Sequence, residues 1–187
     1  MATRLRVAWP ASPPGRILKK PERNRKEMTG MNNVLSLLFP DKADNTLRGW
    51  KLPLYVLILI ALIGTVRSFI HILSLDGGAG SIAGMNLAVT GAHEVIFAFA
   101  LWGAEQLVYA LIQWLVILRY RSLVPFMWVV QFFETILRML VGRIKPVTFA
   151  HTPPGAYQNY IYLVLAVMMV GLTLWSANRQ DRAVTHP

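Results

Sequence analysis

The chain has 187 residues, of which 55% are hydrophobic and 15% are charged, and it contains no cysteine. Soluble domains carry about 25% charged residues, so this composition places the chain in the membrane class. The missing cysteines exclude disulfides, thiolate zinc sites, cysteine-ligated iron–sulfur clusters and thiol nucleophiles. The net charge is +10, and the residues up to Lys51 contribute most of it, with eleven Lys or Arg against four Asp or Glu.

The N-terminal part is polar and basic. Residues 1–31 are rich in Arg, Pro and Lys and lack the apolar core of a secretory signal, so we expect a basic, disordered tail. Residues 32–51 form a juxtamembrane segment whose stretch "NNVLSLLF" is too short to span and is predicted to be an interfacial helix. Ahead of a membrane helix, such a tail predicts contact with anionic lipid rather than with nucleic acid.

Four apolar segments follow, each close to the length of about 20 residues that a membrane crossing needs. They cover roughly residues 52–75, 89–118, 123–141 and 156–176. We therefore predict an all-α, polytopic membrane protein, with a four-helix transmembrane bundle at 52–176 and a cytoplasmic C-terminal tail at 177–187.

The distribution of basic residues predicts the orientation of the chain in a bacterial inner membrane. The first loop between spans has no Lys or Arg, whereas the second turn and the C-terminal tail carry Arg119, Arg121, Arg179 and Arg182. By the positive-inside rule both termini are cytoplasmic. Arg143 and Lys145 fall on the predicted outer side, against the trend.

Four charged residues lie within the apolar segments, at similar predicted depths. With a rise of 1.5 Å per residue, Arg67 lies roughly 22 Å, Glu105 roughly 20 Å, Glu134 roughly 17 Å and Arg138 roughly 23 Å from the cytoplasmic ends of their spans. Two acids and two bases thus share one layer near the middle of the bilayer. Glu134 and Arg138 are spaced to pair within one helix, and we expect them to meet Arg67 and Glu105 across helices.

Helical spacing extends this layer into three polar stripes, because residues three, four, seven or eleven apart share one face of a helix. The stripes contain Arg67 and His71 on the first span; Glu94, Glu105, Tyr109 and Gln113 on the second; and Gln131, Glu134 and Arg138 on the third. Polar stripes in hydrocarbon must face one another. The layer then either fixes the register of the bundle or forms a polar pocket for a ligand, a quinone headgroup or a proton.

Cofactor and metal chemistry find little support in the sequence. His71 and His93 are placed near the outer ends of adjacent helices without a second pair, which disfavours a bis-histidine haem. The Glu-x-x-His motifs of a di-iron site are missing, and no metal site is predicted. There is no nucleotide-binding glycine loop or nucleophile motif. We predict no cofactor, although the polar layer leaves a quinone open, and we expect no enzymatic activity.

The stretch "LWGAEQLVYALIQWLVILRYRSLVPFMWVVQFFETILRMLVGRIKP" resembles the central part of the small four-helix bacterial membrane proteins of the DoxX-like group. Members of that group often show a Gly and a Glu that open a span, followed by a short Arg-containing turn. The matching residues here are Gly103, Glu105, Arg119 and Arg121. The resemblance implies an association with quinol oxidation or redox-stress complexes, and it covers the middle third of the chain.

These observations predict a non-enzymatic accessory or partner-binding subunit of a larger membrane complex or a homo-oligomer. One alternative is a redox-linked membrane component that binds a quinone or another small molecule in the charged layer. Another is a small proton-coupled transporter. Transporters are commonly built from inverted repeats, and the sequence shows none, so a four-helix transporter would need to dimerise.

Overall fold

The computed structural model describes residues 34–185, and the surroundings of side chains as far as residue 176. Every long element in this part of the chain is helical, which confirms the all-α prediction. A short helical turn at residues 34–38 precedes the bundle, and a 3-10 turn at Arg121–Leu123 connects its middle helices. The four long helices are α1 (Leu52–Leu73), α2 (Ala92–Arg119), α3 (Val124–Ile144) and α4 (Pro154–Thr185).

All four helices are long and apolar enough to cross a membrane, so the four-span prediction is confirmed. Their bounds differ from the predicted segments by a few residues, except that α4 continues to Thr185, beyond the predicted span. The basic tail predicted at 1–31, with its lipid contact, lies outside the described residues. Many large apolar side chains on the outer surface are more than half exposed, including Leu59, Phe97, Leu115 and Val164. Such faces suit lipid rather than water.

Prolines mark where three of the helices begin. Pro53 and Pro125 occupy the first turns of α1 and α3, and α4 begins at Pro154. Proline is tolerated there because the first amides of a helix have no intrahelical partner. The helices are therefore joined by one short turn, at residues 120–123, and by two longer loops at the opposite end of the bundle. We call these the turn end and the long-loop end.

The bundle consists of two helix pairs. α1 packs along α2, and α3 packs along α4, whereas the consecutive helices α2 and α3 touch little. Gly103 of α2 allows the first pair to approach closely, because a Cβ at this position would lie 2.6 Å from the Cβ of His71. Close approach at a small residue is a common way for membrane helices to gain van der Waals contact.

The apolar core lies toward the turn end. Trp128 of α3 is fully buried there among residues such as Leu57, Met127 and Ala166. Its indole Nε1 donates a hydrogen bond to the carbonyl oxygen of Pro53 at 3.1 Å, which joins the two helix pairs. With the apolar residues packed at this end, the polar side chains of the bundle collect closer to the long-loop end.

The juxtamembrane segment is fastened to the turn end. The amide of Asp44 donates to the Ser122 hydroxyl at 2.9 Å, and the amide of Ser122 donates to the carbonyl oxygen of Asp44 at 3.2 Å. The rings of Trp50 and Trp175 pack edge to face with centroids 5.0 Å apart. These contacts join the entry and exit of the bundle at one end.

Candidate functional site

Arg67 of α1 points between α2 and α4. Its Nε donates to Oε1 of Gln106 at 2.9 Å, and its Nη1 donates to Oε1 of Gln158. The guanidinium carbon also lies 5.2 Å from the centre of the Trp102 ring, within cation–π range. Within the described residues Arg67 has no acidic partner, so neutral amides and an aromatic ring hold the cation in place.

Glu134 and Arg138 of α3 form an ion pair one helical turn apart, in which Nη2 of Arg138 donates to both carboxylate oxygens. Gln131 adds a hydrogen bond from its Nε2 to Oε2 of Glu134 at 3.0 Å. The spacing of four residues brings such side chains together on one face of a helix. The predicted polar stripe of α3 therefore exists as one connected group.

Two side chains of α2 continue this network. Tyr109 and Gln113 each donate to Oε1 of Gln131 at 3.3 Å. Gln131 is buried and has its amide group engaged on both sides, by α2 donors and by acceptors on its own helix. The network thus connects two helices that otherwise have little contact.

A cavity of about 220 Å³ lies next to this network, on the side nearer the long-loop end. Side chains of α1, α2, α3 and α4 line it, namely Arg67, His71, Phe99, Trp102, Arg138, Gln158 and Asn159. The walls are mainly apolar and aromatic, with a few polar groups that converge on one region. Ligand sites in proteins commonly have this composition.

The polar groups of the cavity are not all satisfied. Among the described side chains that line the cavity, Nε and Nη1 of Arg138 and Oδ1 of Asn159 are buried without a hydrogen-bond partner. Arg67 and Arg138 bring two positive charges, and Glu134 beside them brings one negative charge. Buried donors without partners are costly in a low-dielectric environment. The cavity therefore offers a ligand the donors of Arg138, one acceptor on Asn159 and one excess positive charge.

His71 supports the cavity rather than lying free at its mouth. The imidazole is buried, with Nδ1 2.7 Å from the carbonyl oxygen of Gly77, and it packs against the rings of Phe99 and Trp102. A carbonyl oxygen can only accept, so Nδ1 carries the proton of this bond. His71 thereby attaches the loop at 74–91 to the top of α1.

The two long loops cover the cavity and are joined to each other. Carboxylate oxygens of Asp76 accept hydrogen bonds from the amides of Gly78 at 2.8 Å and Ser81 at 2.6 Å. These bonds lower the pKa of Asp76 from its ordinary 3.8 to about 2. The amide of Ala150 donates to the carbonyl oxygen of Gly84 at 2.9 Å, which links the loops.

We expect Asp76→Ala to loosen the first loop, because two amides lose a charged acceptor. Exchange of the Gly78 and Ser81 amide hydrogens should become about tenfold faster, measured by hydrogen–deuterium exchange. The lowered pKa means that the carboxylate stabilises the loop above pH 3.8, and that this contribution is lost as the pH falls from 3.8 toward about 2. Asn86→Ala is the control, since Asn86 caps only the nearby Ala88 amide. Unchanged exchange in Asp76→Ala would contradict the role of Asp76.

The structure brings some of the predicted polar residues together and leaves others on the surface. Arg67, Glu134 and Arg138 gather around one small polar space, together with Tyr109 and Gln131. Glu105, Glu94 and His93 lie on the exposed surface of α2. Successive residues of a helix are about 100° apart, so Glu105 faces outward when the next residue, Gln106, faces inward. The prediction that Glu105 meets Arg67, Glu134 and Arg138 across helices is therefore wrong, because its side chain faces outward.

Sequence reasoning missed Gln106, Trp102 and Gln158, which hold Arg67. The predicted stripe of the second span was anchored on Glu105, so its neighbour Gln106 was left out. Gln106 lies seven residues before Gln113 and shares its helix face, so a stripe of amides was the available signal. Gln158 lies in the first turns of α4, inside the predicted span at 156–176, but the predicted polar stripes covered only the first three spans.

Four candidate spans, long and apolar enough to cross a membrane, define a multi-pass integral membrane protein. Compared with models of protein families, with curated proteins and with solved structures, the chain matches none of them. Among the side chains that the structure describes, as far as residue 176, no three acidic or histidine side chains are placed to hold a metal ion.

Proposed function

We propose that this protein is a non-enzymatic membrane protein that binds a small anion between Arg67 and Arg138. The observation that carries the proposal is the pair of guanidinium groups on one cavity, of which Arg138 keeps two buried nitrogens, Nε and Nη1, without hydrogen-bond partners among the described residues. Guanidinium groups bind carboxylate and phosphate oxygens well, because their donors form a planar fork.

The charge of the site favours an anion over the other ligands considered. Two arginines and one glutamate leave a formal charge of +1. A quinone could accept hydrogen bonds from the same donors, but it would leave this charge uncompensated in a low-dielectric setting. A proton would increase the charge. An anion both satisfies the donors and neutralises the site.

Binding of short anions tests the proposal. We expect butyrate or methyl phosphate to raise the melting temperature of the protein in lipid nanodiscs, because a ligand of the native state stabilises it. Arg138→Gln should weaken this binding about tenfold or more, as expected for the loss of a charged hydrogen bond. Arg143→Gln, an exposed residue later in the same helix, is the matched control. Failure of every short anion to stabilise the parent protein would refute the proposal.

A second function, partner binding as an accessory subunit, is favoured by Glu105. This carboxylate is exposed near the middle of α2 and has no partner among the described residues. A charge facing lipid at mid-bilayer costs about 3 kcal/mol, so contact with a polar side chain of another helix would stabilise it. A photo-crosslinking amino acid at Val108, one turn away, should give one discrete adduct in membranes. Its mass separates a homo-oligomer from a different partner, and Glu105→Gln should abolish it.

The proposed location is a bacterial inner membrane with both termini in the cytoplasm, based on the distribution of Lys and Arg. Membership of the DoxX-like group belongs to the same proposal and rests on Gly103, Glu105, Arg119 and Arg121. Reporter fusions at Gly80, in the first long loop, and at Ser176, near the end of the fourth span, should report opposite sides of the membrane. The same side for both fusions would contradict the topology.

A further inference from the structure

A groove runs along the side of the bundle between α2 and α3, where these two helices have little contact. It encloses about 440 Å³ and is lined by Trp102 of α2 and by Glu134, Leu137, Arg138 and Val141 of α3. Trp102 and Arg138 also line the central cavity. The groove and the cavity therefore meet at these two side chains.

The outer part of the groove is apolar and open. Leu137 and Val141 have exposed fractions of 60% and 58%, and they lie on the flank of α3 that would face acyl chains. Arg138 is much less exposed, at 20%, and lies at the inner end, next to the cavity. Polarity thus changes along the groove from a cationic inner end to an apolar outer end.

At the long-loop end, residues of both loops lie over the cavity. Gly78 and Ala83 of the first loop are buried and line the cavity. Phe149 and Pro153 of the second loop also line it, but they are not buried, and Phe149 is 37% exposed. The hydrogen bond from Ala150 to Gly84 joins the two loops above it. Leu137 and Val141 of the groove are more exposed than Ala83 or Phe149 of the loops, which favours entry of a ligand from the side of the bundle.

Building on the proposed anion site, we propose that its ligand is the anionic head of a single-chain amphiphile that enters from the bilayer. The head would lie between Arg67 and Arg138, where it compensates the excess positive charge. The hydrocarbon chain would leave past Trp102 and Leu137 along the groove into the lipid. Charge complementarity at the inner end and apolar walls at the outer end both match this class of ligand.

A long-chain carboxylic acid with a photoactivatable diazirine at mid-chain is a direct probe, used with the full chain in nanodiscs. We expect the label on residues around Trp102, Leu137 and Val141, at least tenfold above the label on Val164, which is exposed on α4. An excess of unlabelled palmitate should remove this enrichment, whereas the same amount of palmityl alcohol, which lacks the charge, should not.

Variants separate the chain path from the anion site. Leu137→Trp places bulk in the groove at an exposed position, so it should reduce the labelling about tenfold while butyrate still stabilises the protein. Arg138→Gln should remove both the labelling of the groove and the stabilisation by butyrate, and Arg143→Gln should preserve both. Butyrate binding without enrichment in the groove would overturn the amphiphile proposal alone and leave a water-borne anion as the ligand. Absence of both effects in the parent protein would overturn the anion site as well.

Discussion

Glu134→Gln is expected to destabilise the bundle by about 2 kcal/mol, because it leaves Arg138 without its counter-ion. Breaking a buried ion pair costs about 3–5 kcal/mol in soluble proteins. Polar interactions in membranes are worth less, since alternative partners exist, and the Glu134 side chain is 34% exposed. Unfolding in detergent, followed by helical signal against denaturant, measures the change.

The double variant Glu134→Gln, Arg138→Gln should recover most of the lost stability, because both members of the pair are then neutral. Arg143→Gln is the control, since Arg143 is exposed and outside the network. Strictly additive losses in the two single variants and the double variant would show that the side chains do not interact. Recovery of stability without recovery of anion binding would show that the pair serves the ligand as well as the fold.

Gly103→Val is expected to have the larger effect, a destabilisation of about 3 kcal/mol or loss of the folded protein. A Cβ at this position would meet the Cβ of His71 at 2.6 Å and the carbonyl oxygen of Ser68 at 3.1 Å. Neither atom belongs to the flexible end of a side chain, so α1 and α2 would have to separate. The melting temperature in nanodiscs and the yield of monodisperse protein would report the change.

Gly171→Val is the matched control, because this glycine of α4 has open space where a Cβ would lie. The same chemical change there should shift the melting temperature little. If Gly103→Val melted like the parent protein, the close contact between α1 and α2 would be wrong. Separation of these helices should also displace His71, so a surviving Gly103→Val protein is expected to bind short anions more weakly.

The sequence alone predicts the four spans and the ion pair between Glu134 and Arg138 within one helix. Apolar segments of the required length predict membrane helices because lipid leaves the backbone no partners outside the helix. Glu134 and Arg138 pair through local spacing, which the sequence contains directly. The rotation of each helix was less predictable. Hydropathy hardly distinguishes the inward face from the lipid-facing one, so Glu105 was assigned to the layer and Gln106 was overlooked.

The two-pair arrangement has a consequence for biogenesis. Helices emerge from the ribosome in order, so the α1–α2 pair can form while α3 and α4 are still being synthesised. At that stage Arg67 has Gln106 as an acceptor, but its second acceptor, Gln158, belongs to the last helix. A charged side chain would thus stay incompletely paired until synthesis of the fourth helix. We therefore expect chains that end before Pro154 to expose this arginine to lipid and to be recognised by membrane proteases.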